Sequence, residues 1–175
     1  MSRRSDTENL SPHHGVVTQS AFIELLASHW QNAQKAQYSL SLFVIDIDHF
    51  NNLTDKASIS HQVFETLGQL FHRKTDALTR FGRNKILLMT TELSFKEAGL
   101  MAQRIHQAIQ ALALTSPQTP SGQVTVSIGH TTYTPAQEDD FGVLDQLSET
   151  LKHQQAASDQ GGNTSHTRLY SQILK

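Results

Sequence analysis

Apolar positions along the chain recur first at helical and then at alternating spacing. Phe22, Leu25, Leu26 and Trp30 follow Thr18, a side chain suited to an N-cap, and predict an amphipathic helix to about residue 36. Residues 39–48 read as a buried strand, with Leu42, Val44, Asp46 and Asp48 on one face and Phe43, Ile45 and Ile47 on the other. Ile59, Val63, Phe64, Leu67, Leu70 and Phe71 mark a second helix ending near Arg73. Two short apolar runs, 78–81 and 86–90, flank a turn at 82–85 and predict a β-hairpin. Ser94 and Glu97 form a capping box that opens a third helix carrying Ala98, Met101, Ala102, Ile105, Ile109 and Leu112. Beyond Pro117, Pro120 and Gly122, residues 124–133 alternate as a strand, 141–155 suggest a weaker helix, 158–165 a loop and 168–170 a last short strand.

This order of elements is a mixed α/β (α+β) pattern containing a hairpin, which argues against a wholly parallel, doubly wound sheet. One central sheet flanked by helices is expected. Residues 1–15 lack periodicity and read as a flexible tail; 16–175 read as a single domain.

Composition narrows the function more than the fold. The 175 residues, 37% of them hydrophobic, suit one core. A net charge of −2 and a pI near 6.5 argue against a phosphate-backbone surface, so nucleic acid is not an expected partner. Without cysteine there is no disulfide framework, thiolate nucleophile or thiolate metal site. No stretch approaches the roughly 18 apolar residues of a membrane span, and the first twelve residues are polar rather than signal-like, so a cytoplasmic protein is expected. The ten histidines are scattered; the adjacent His13 and His14 do not face one way on a regular element, and ordinary polar usage is the better reading than a metal site.

Four segments, in order and spacing, carry more specific information. They are Leu42-Phe43-Val44-Ile45-Asp46-Ile47-Asp48-His49-Phe50, Asp76-Ala77-Leu78-Thr79-Arg80-Phe81-Gly82, Ala102-Gln103-Arg104-Ile105 and Val124-Thr125-Val126-Ser127-Ile128-Gly129. Together they resemble the GGDEF family of bacterial diguanylate cyclases. The resemblance implies a mostly antiparallel sheet of about five strands, related to the palm of polymerases and nucleotidyl cyclases. It also implies an ancestral two-metal reaction joining two GTP molecules across a dimer of domains, so a homodimer is one expectation. Two close divalent ions and a triphosphate need carboxylate ligands. The first Asp of the strand end survives as Asp46, but the signature hairpin reads Gly82-Arg83-Asn84-Lys85-Ile86. Lys85 stands where an acid is required, and Arg83 adds a side chain where backbone must approach the nucleotide.

The family's base-reading Asn and Asp fall on Thr54 and Val63, and its phosphate-contacting lysine on Asn51. A C-terminal basic pair is missing, only Gly161-Gly162-Asn163 being visible, and the N-terminal pattern is reduced to residues 13–22. The expectation is a catalytically inactive domain in which Asp46 is vestigial, Asp46 and Asp48 serve as strand-end or turn-capping groups, and no cofactor is required. A second, product-binding site is better kept. Its Arg-x-x-Asp, five residues before the hairpin, falls on Arg73-Lys74-Thr75-Asp76, and a further arginine on Arg104. Arginine forks suit phosphate oxygens or guanine O6 and N7, and a carboxylate suits guanine N1 and N2. Arg73 and Asp76, three apart at a helix end, can point to one side.

The leading expectation is a cyclic di-GMP effector that signals through a partner protein. Two others stay open: a nucleotide-independent interaction scaffold, in which Arg73 and Asp76 form a surface ion pair worth about 0–1 kcal/mol and Arg104 is a solvated helix residue, and a diguanylate cyclase with unorthodox ligands.

Overall fold

The computed structural model describes residues 15–82, 84–137 and 140–170. Helix α1 (Gln19–Ala36) starts where the Thr18 hydroxyl accepts the Ala21 N–H at 3.1 Å, and stops at Gln37, whose φ of 58° leaves the helical region. Its stripe of Phe22, Leu26, Trp30 and Ala33 is buried, as a spacing of three and four residues requires. Strand β1 (Leu40–Ile47) follows.

After a short 3-10 turn at Phe50–Asn52 come α2 (Lys56–Leu70), β2 (Ala77–Phe81), β3 (Lys85–Thr91), α3 (Phe95–Ala111), β4 (Val126–Tyr133), α4 (Val143–Asp159) and β5 (Thr164–His166). The sheet runs β2-β3-β1-β4-β5, antiparallel throughout except for the parallel β4–β5 pair. It is the five-stranded, mostly antiparallel arrangement that the sequence predicts.

The central strand sorts its side chains by alternation. Phe43, Ile45 and Ile47 enter one core with Val63 and Leu67 of α2 and Ala102, Ile105 and Ile109 of α3. Leu40, Leu42 and Val44 enter a second core with Phe22, Leu26 and Trp30 of α1, against which Leu147 and Leu151 of α4 pack. The capping box of α3 is closed, Ser94 Oγ accepting from Glu97 N–H at 3.0 Å and Glu97 Oε1 accepting from Ser94 N–H at 2.9 Å.

Three boundaries differ from expectation. The second helix ends at Leu70 rather than near Arg73, because Phe71 leaves helical geometry to put its ring, 2% exposed, edge-on to Phe43 at 5.7 Å. Arg73 to Asp76 is therefore a turn, closed by Asp76 N–H donating to Arg73 O at 2.9 Å. The last strand is Thr164–His166, inside the segment read as loop, and not residues 168–170. Three polar residues carry no periodic signal; pairing with Ser127, Ile128 and Gly129 makes them a strand.

The final helix extends to Asp159, and its hydrophobic signal is weak because it buries a polar face, Gln146, Thr150, His153 and Gln154. Gln146 donates to Leu40 O at 2.9 Å, and the Thr131 and Thr150 hydroxyls are 2.8 Å apart.

That polar face sits close to the sheet because Gly129 has no side chain. A Cβ there would lie 2.5 Å from Thr150 O and 2.7 Å from the Gln154 Cα, both helix backbone. Gly129→Ala is expected to lower stability by about 3 kcal/mol, the upper part of the overpacking range, since backbone on both sides must move. A urea midpoint matching the native protein's would contradict this packing of α4 on β4.

Candidate functional site

The register between β1 and β3 sets Asp46 opposite Lys85 at one end of the sheet. The Lys85 ammonium donates to Asp46 Oδ2 at 3.3 Å and to Gln154 Oε1 of α4. Both partners are mostly covered, with side chains 28% and 23% exposed. Burial pushes the Asp46 carboxyl above the ordinary carboxylate range; Lys85 opposes this and Asp48 adds to it. The cation that balances Asp46 is thus part of the chain.

Asp48 is not available to complete a ligand set with it. Its Oδ2 accepts the Thr125 hydroxyl at 2.7 Å and the Asn163 N–H at 2.8 Å, and its Oδ1 accepts the Ser127 hydroxyl at 2.5 Å. The loop after α4 closes over it: Gly162, at φ 76°, leaves only 2.6 Å between a would-be Cβ and the carboxylate. Asp48 thereby ties the start of β4 and the loop after α4 to the end of β1.

Magnesium, which the two-metal reaction of the related cyclases implies, does not fit these residues. An ammonium already holds Asp46, and Asp48 spends its oxygens on the fold. Among the described residues no three His, Asp or Glu side chains are grouped to hold a metal. Asn51 and Thr54 are exposed in the loop before α2, while Val63 is fully buried in the core beneath it, with no edge to offer a base. Gly82, Asn84 and Ile86 belong to the hairpin as expected, and Arg83 lies outside the described residues.

The second site lies at the other end of β1, six residues or about 20 Å away at ~3.4 Å per residue. Here β1 begins at Leu40 opposite Thr91. Arg73, Asp76 and Arg104 all line one groove of about 390 Å³, with Phe71, Leu93 and Met101 as its apolar wall. Arg73 donates through its guanidinium to Thr91 O at 3.0 Å and stands 4.0 Å from the Glu92 carboxylate, its side chain 44% exposed. Arg104 is exposed on α3.

Asp76 behaves differently from either sequence reading. It is only 5% exposed; Oδ1 accepts the Thr90 hydroxyl at 2.6 Å and Oδ2 the Arg73 backbone N–H at 2.9 Å. No Arg73–Asp76 surface ion pair forms. The carboxylate caps the turn and so fixes where the Arg73 side chain leaves the backbone. Glu92, which faces that guanidinium, carries no sequence signal; it arrives through the pairing of β3 and sits at a φ of 64°.

A five-stranded, mostly antiparallel sheet with helices on both faces, a hairpin at one end and an arginine-lined groove at the other define a nucleotidyl-cyclase-like α/β domain. The family model for the diguanylate cyclase GGDEF domain matches residues 14–163, and the chain belongs to that family. It is 27% identical over 132 residues to the probable diguanylate cyclase DgcT of Escherichia coli strain K12, covering 70% of this chain and 29% of that protein. Its fold matches the coiled coil and GGDEF domain of DgcB from Caulobacter crescentus in complex with c-di-GMP, with a TM-score of 0.76 at 16% identity over 95% of this chain and 91% of the other. It also matches the diguanylate cyclase SiaD in complex with its activator SiaC from Pseudomonas aeruginosa, with a TM-score of 0.73 at 16% identity over 95% and 65% of the two chains. The chain spans about a third of the length of the curated relatives it matches. No helix among the described residues is long and apolar enough to cross a membrane.

Replacing Lys85 by Met leaves Asp46 covered and unbalanced. Stability is expected to fall by about 2 kcal/mol at pH 7, less than for a fully buried pair because both groups keep some solvent. Removing the ammonium raises the folded-state pKa of Asp46 further, so the deficit is largest where the carboxyl is ionised and shrinks as pH falls through that raised value. Denaturant melts at pH 7 and pH 4 check this; a deficit that grows toward acid would contradict it.

Proposed function

We propose that this domain is a non-catalytic cyclic di-GMP receptor that passes ligand occupancy to a partner protein. The observation that carries the reading is the convergence of Arg73, Asp76 and Arg104 on one groove, at the end of the sheet remote from a signature hairpin whose acid is a lysine. Cyclic di-GMP presents two phosphates and two guanine edges, and guanidinium forks bind either kind of group with charge-assisted hydrogen bonds. Arg73 and Arg104 are the ligand-contacting groups. Asp76 is the positioning group, because the turn it caps orients Arg73 before any ligand arrives, which lowers the ordering cost of binding.

Loss of catalysis follows from charge. A pair of divalent ions cannot share Asp46 with an ammonium hydrogen-bonded to the same carboxylate without a large repulsion. The complex of DgcB with c-di-GMP and that of SiaD with its activator support a ligand-binding and partner-directed reading by relationship. The internally satisfied Asp76 favours the alternative, a nucleotide-independent scaffold, because its oxygens have protein partners without a ligand.

Calorimetry with cyclic di-GMP separates the two. The receptor reading predicts saturable binding by the native chain, weakened at least about tenfold, or ~1.4 kcal/mol, in Arg73→Ala and in Arg104→Ala. No heat with the native chain would favour the scaffold, and the same affinity in Arg73→Ala would remove this groove as the binding site.

A further inference from the structure

We propose that a histidine pair, His153 of α4 and His166 at the end of β5, is a proton-operated latch: one proton is accommodated, and a second frees the chain from His166 to Tyr170. None of its residues belongs to either site described above, and it does not depend on cyclic di-GMP binding.

The directions of its hydrogen bonds can be deduced. Tyr170 Oη lies 2.8 Å from Glu149 Oε1 and donates to it, since an ionised carboxylate only accepts. That bond is the main cause holding Glu149 below the ordinary carboxylate range, so it stays ionised. The one hydroxyl hydrogen being spent, Tyr170 Oη accepts from His153 Nε2–H at 2.7 Å. A neutral His153 then has only a lone pair at Nδ1, and His166 Nδ1, 2.7 Å away, must donate to it. The chain His166 to His153 to Tyr170 to Glu149 is directional from end to end.

A first proton breaks no hydrogen bond of the chain. It sits on His153 Nδ1, and His166 becomes the acceptor by shifting its own proton to Nε2. A second proton leaves N–H facing N–H at 2.7 Å between stacked rings whose centroids are 4.9 Å apart, with two like charges and no acceptor between them.

The surrounding charges set the sign. Burial lowers His153, with His166 and Arg168 adding and Glu149 opposing. His130, beneath the pair on β4, is pushed down to about 4 by burial, with His153, His106 and His166 adding, so it remains neutral and offers no relief. His106 of α3 is tied to Ser165 at 2.9 Å and feels Asp48. Arg168 stacks on the Tyr170 ring at 4.8 Å, and Lys152 stands on the solvent side of Glu149 at 3.4 Å. A histidine lowered in the folded state contributes stability that is complete above its unfolded value of 6.5 and is lost as pH falls below it.

Among the described residues the other contacts of this segment are few. β5 is three residues long, on the edge of the sheet, and beyond it Thr167 Oγ1 donates to His130 O at 2.5 Å and the Tyr170 ring packs at a tilt against Phe141 at 5.9 Å. Release uncovers the β4 edge at Gly129, where backbone groups then face solvent.

Hydrogen exchange between pH 7.5 and 5.5, corrected for the chemical exchange rate, tests the latch on the whole chain. Protection of the amides in the β4–β5 pairing around Gly129 and His166 is expected to fall at least about tenfold while β1 and β3 keep theirs, and His166→Gln, which still donates to His153 but takes no proton, should hold its protection across the range. Protection that is flat in the native chain, that falls equally in β1, or that falls just as far in His166→Gln would overturn the proposal. Should His166→Gln not fold, imidazole NMR of the native chain decides it: coupled titration of the two rings with loss of the segment at the second step supports the latch, and independent titrations overturn it.

Discussion

The pairing of β1 with β3 is the constraint on which the rest of the molecule depends. Its seven matched residues, from Leu40 opposite Thr91 to Asp46 opposite Lys85, fix both ends of the sheet at once. At one end the register delivers an ammonium to a mostly covered carboxylate. At the other it places Thr90 and Thr91 against the turn that carries Asp76 and Arg73. A slip of one residue would turn Phe43, Ile45 and Ile47 out of one core and Leu42 and Val44 out of the other, so burial on both faces holds the register.

At the hairpin end of the sheet the charge of Asp46 is balanced from within the chain. A carboxylate drawn out of water needs a compensating charge, and in a two-metal site the ions provide it. Here Lys85 does, with Gln154 orienting its ammonium from α4 and Asp48 committed to Thr125, Ser127 and Asn163. At this end of the sheet the covered carboxylates are satisfied by the chain itself. That independence is the physical content of the proposal that the domain receives a nucleotide signal without making one.

Much of this was legible in the sequence, for identifiable reasons. Alternation along β1 and the three-four spacing of α1 to α3 are strong because each element buries a mostly apolar face. The capping box at Ser94 and the N-cap at Thr18 are local and stand as predicted. The polar face of α4 and the three residues of β5 were not legible, since their burial depends on Gly129 and on partners distant in sequence. At the candidate site, the resemblance named Arg73, Asp76 and Arg104, and the three line one groove. Spacing could not say that Asp76 faces Thr90 and the Arg73 amide, because Phe71 ends the helix early by entering the core.

The account's central claim is that Lys85 stands in place of the metal at Asp46, and turnover tests it most directly. Incubating the purified chain with GTP and magnesium and assaying for cyclic di-GMP should give no product above a protein-free blank. Sustained formation of cyclic di-GMP, abolished in Asp46→Asn, would contradict it.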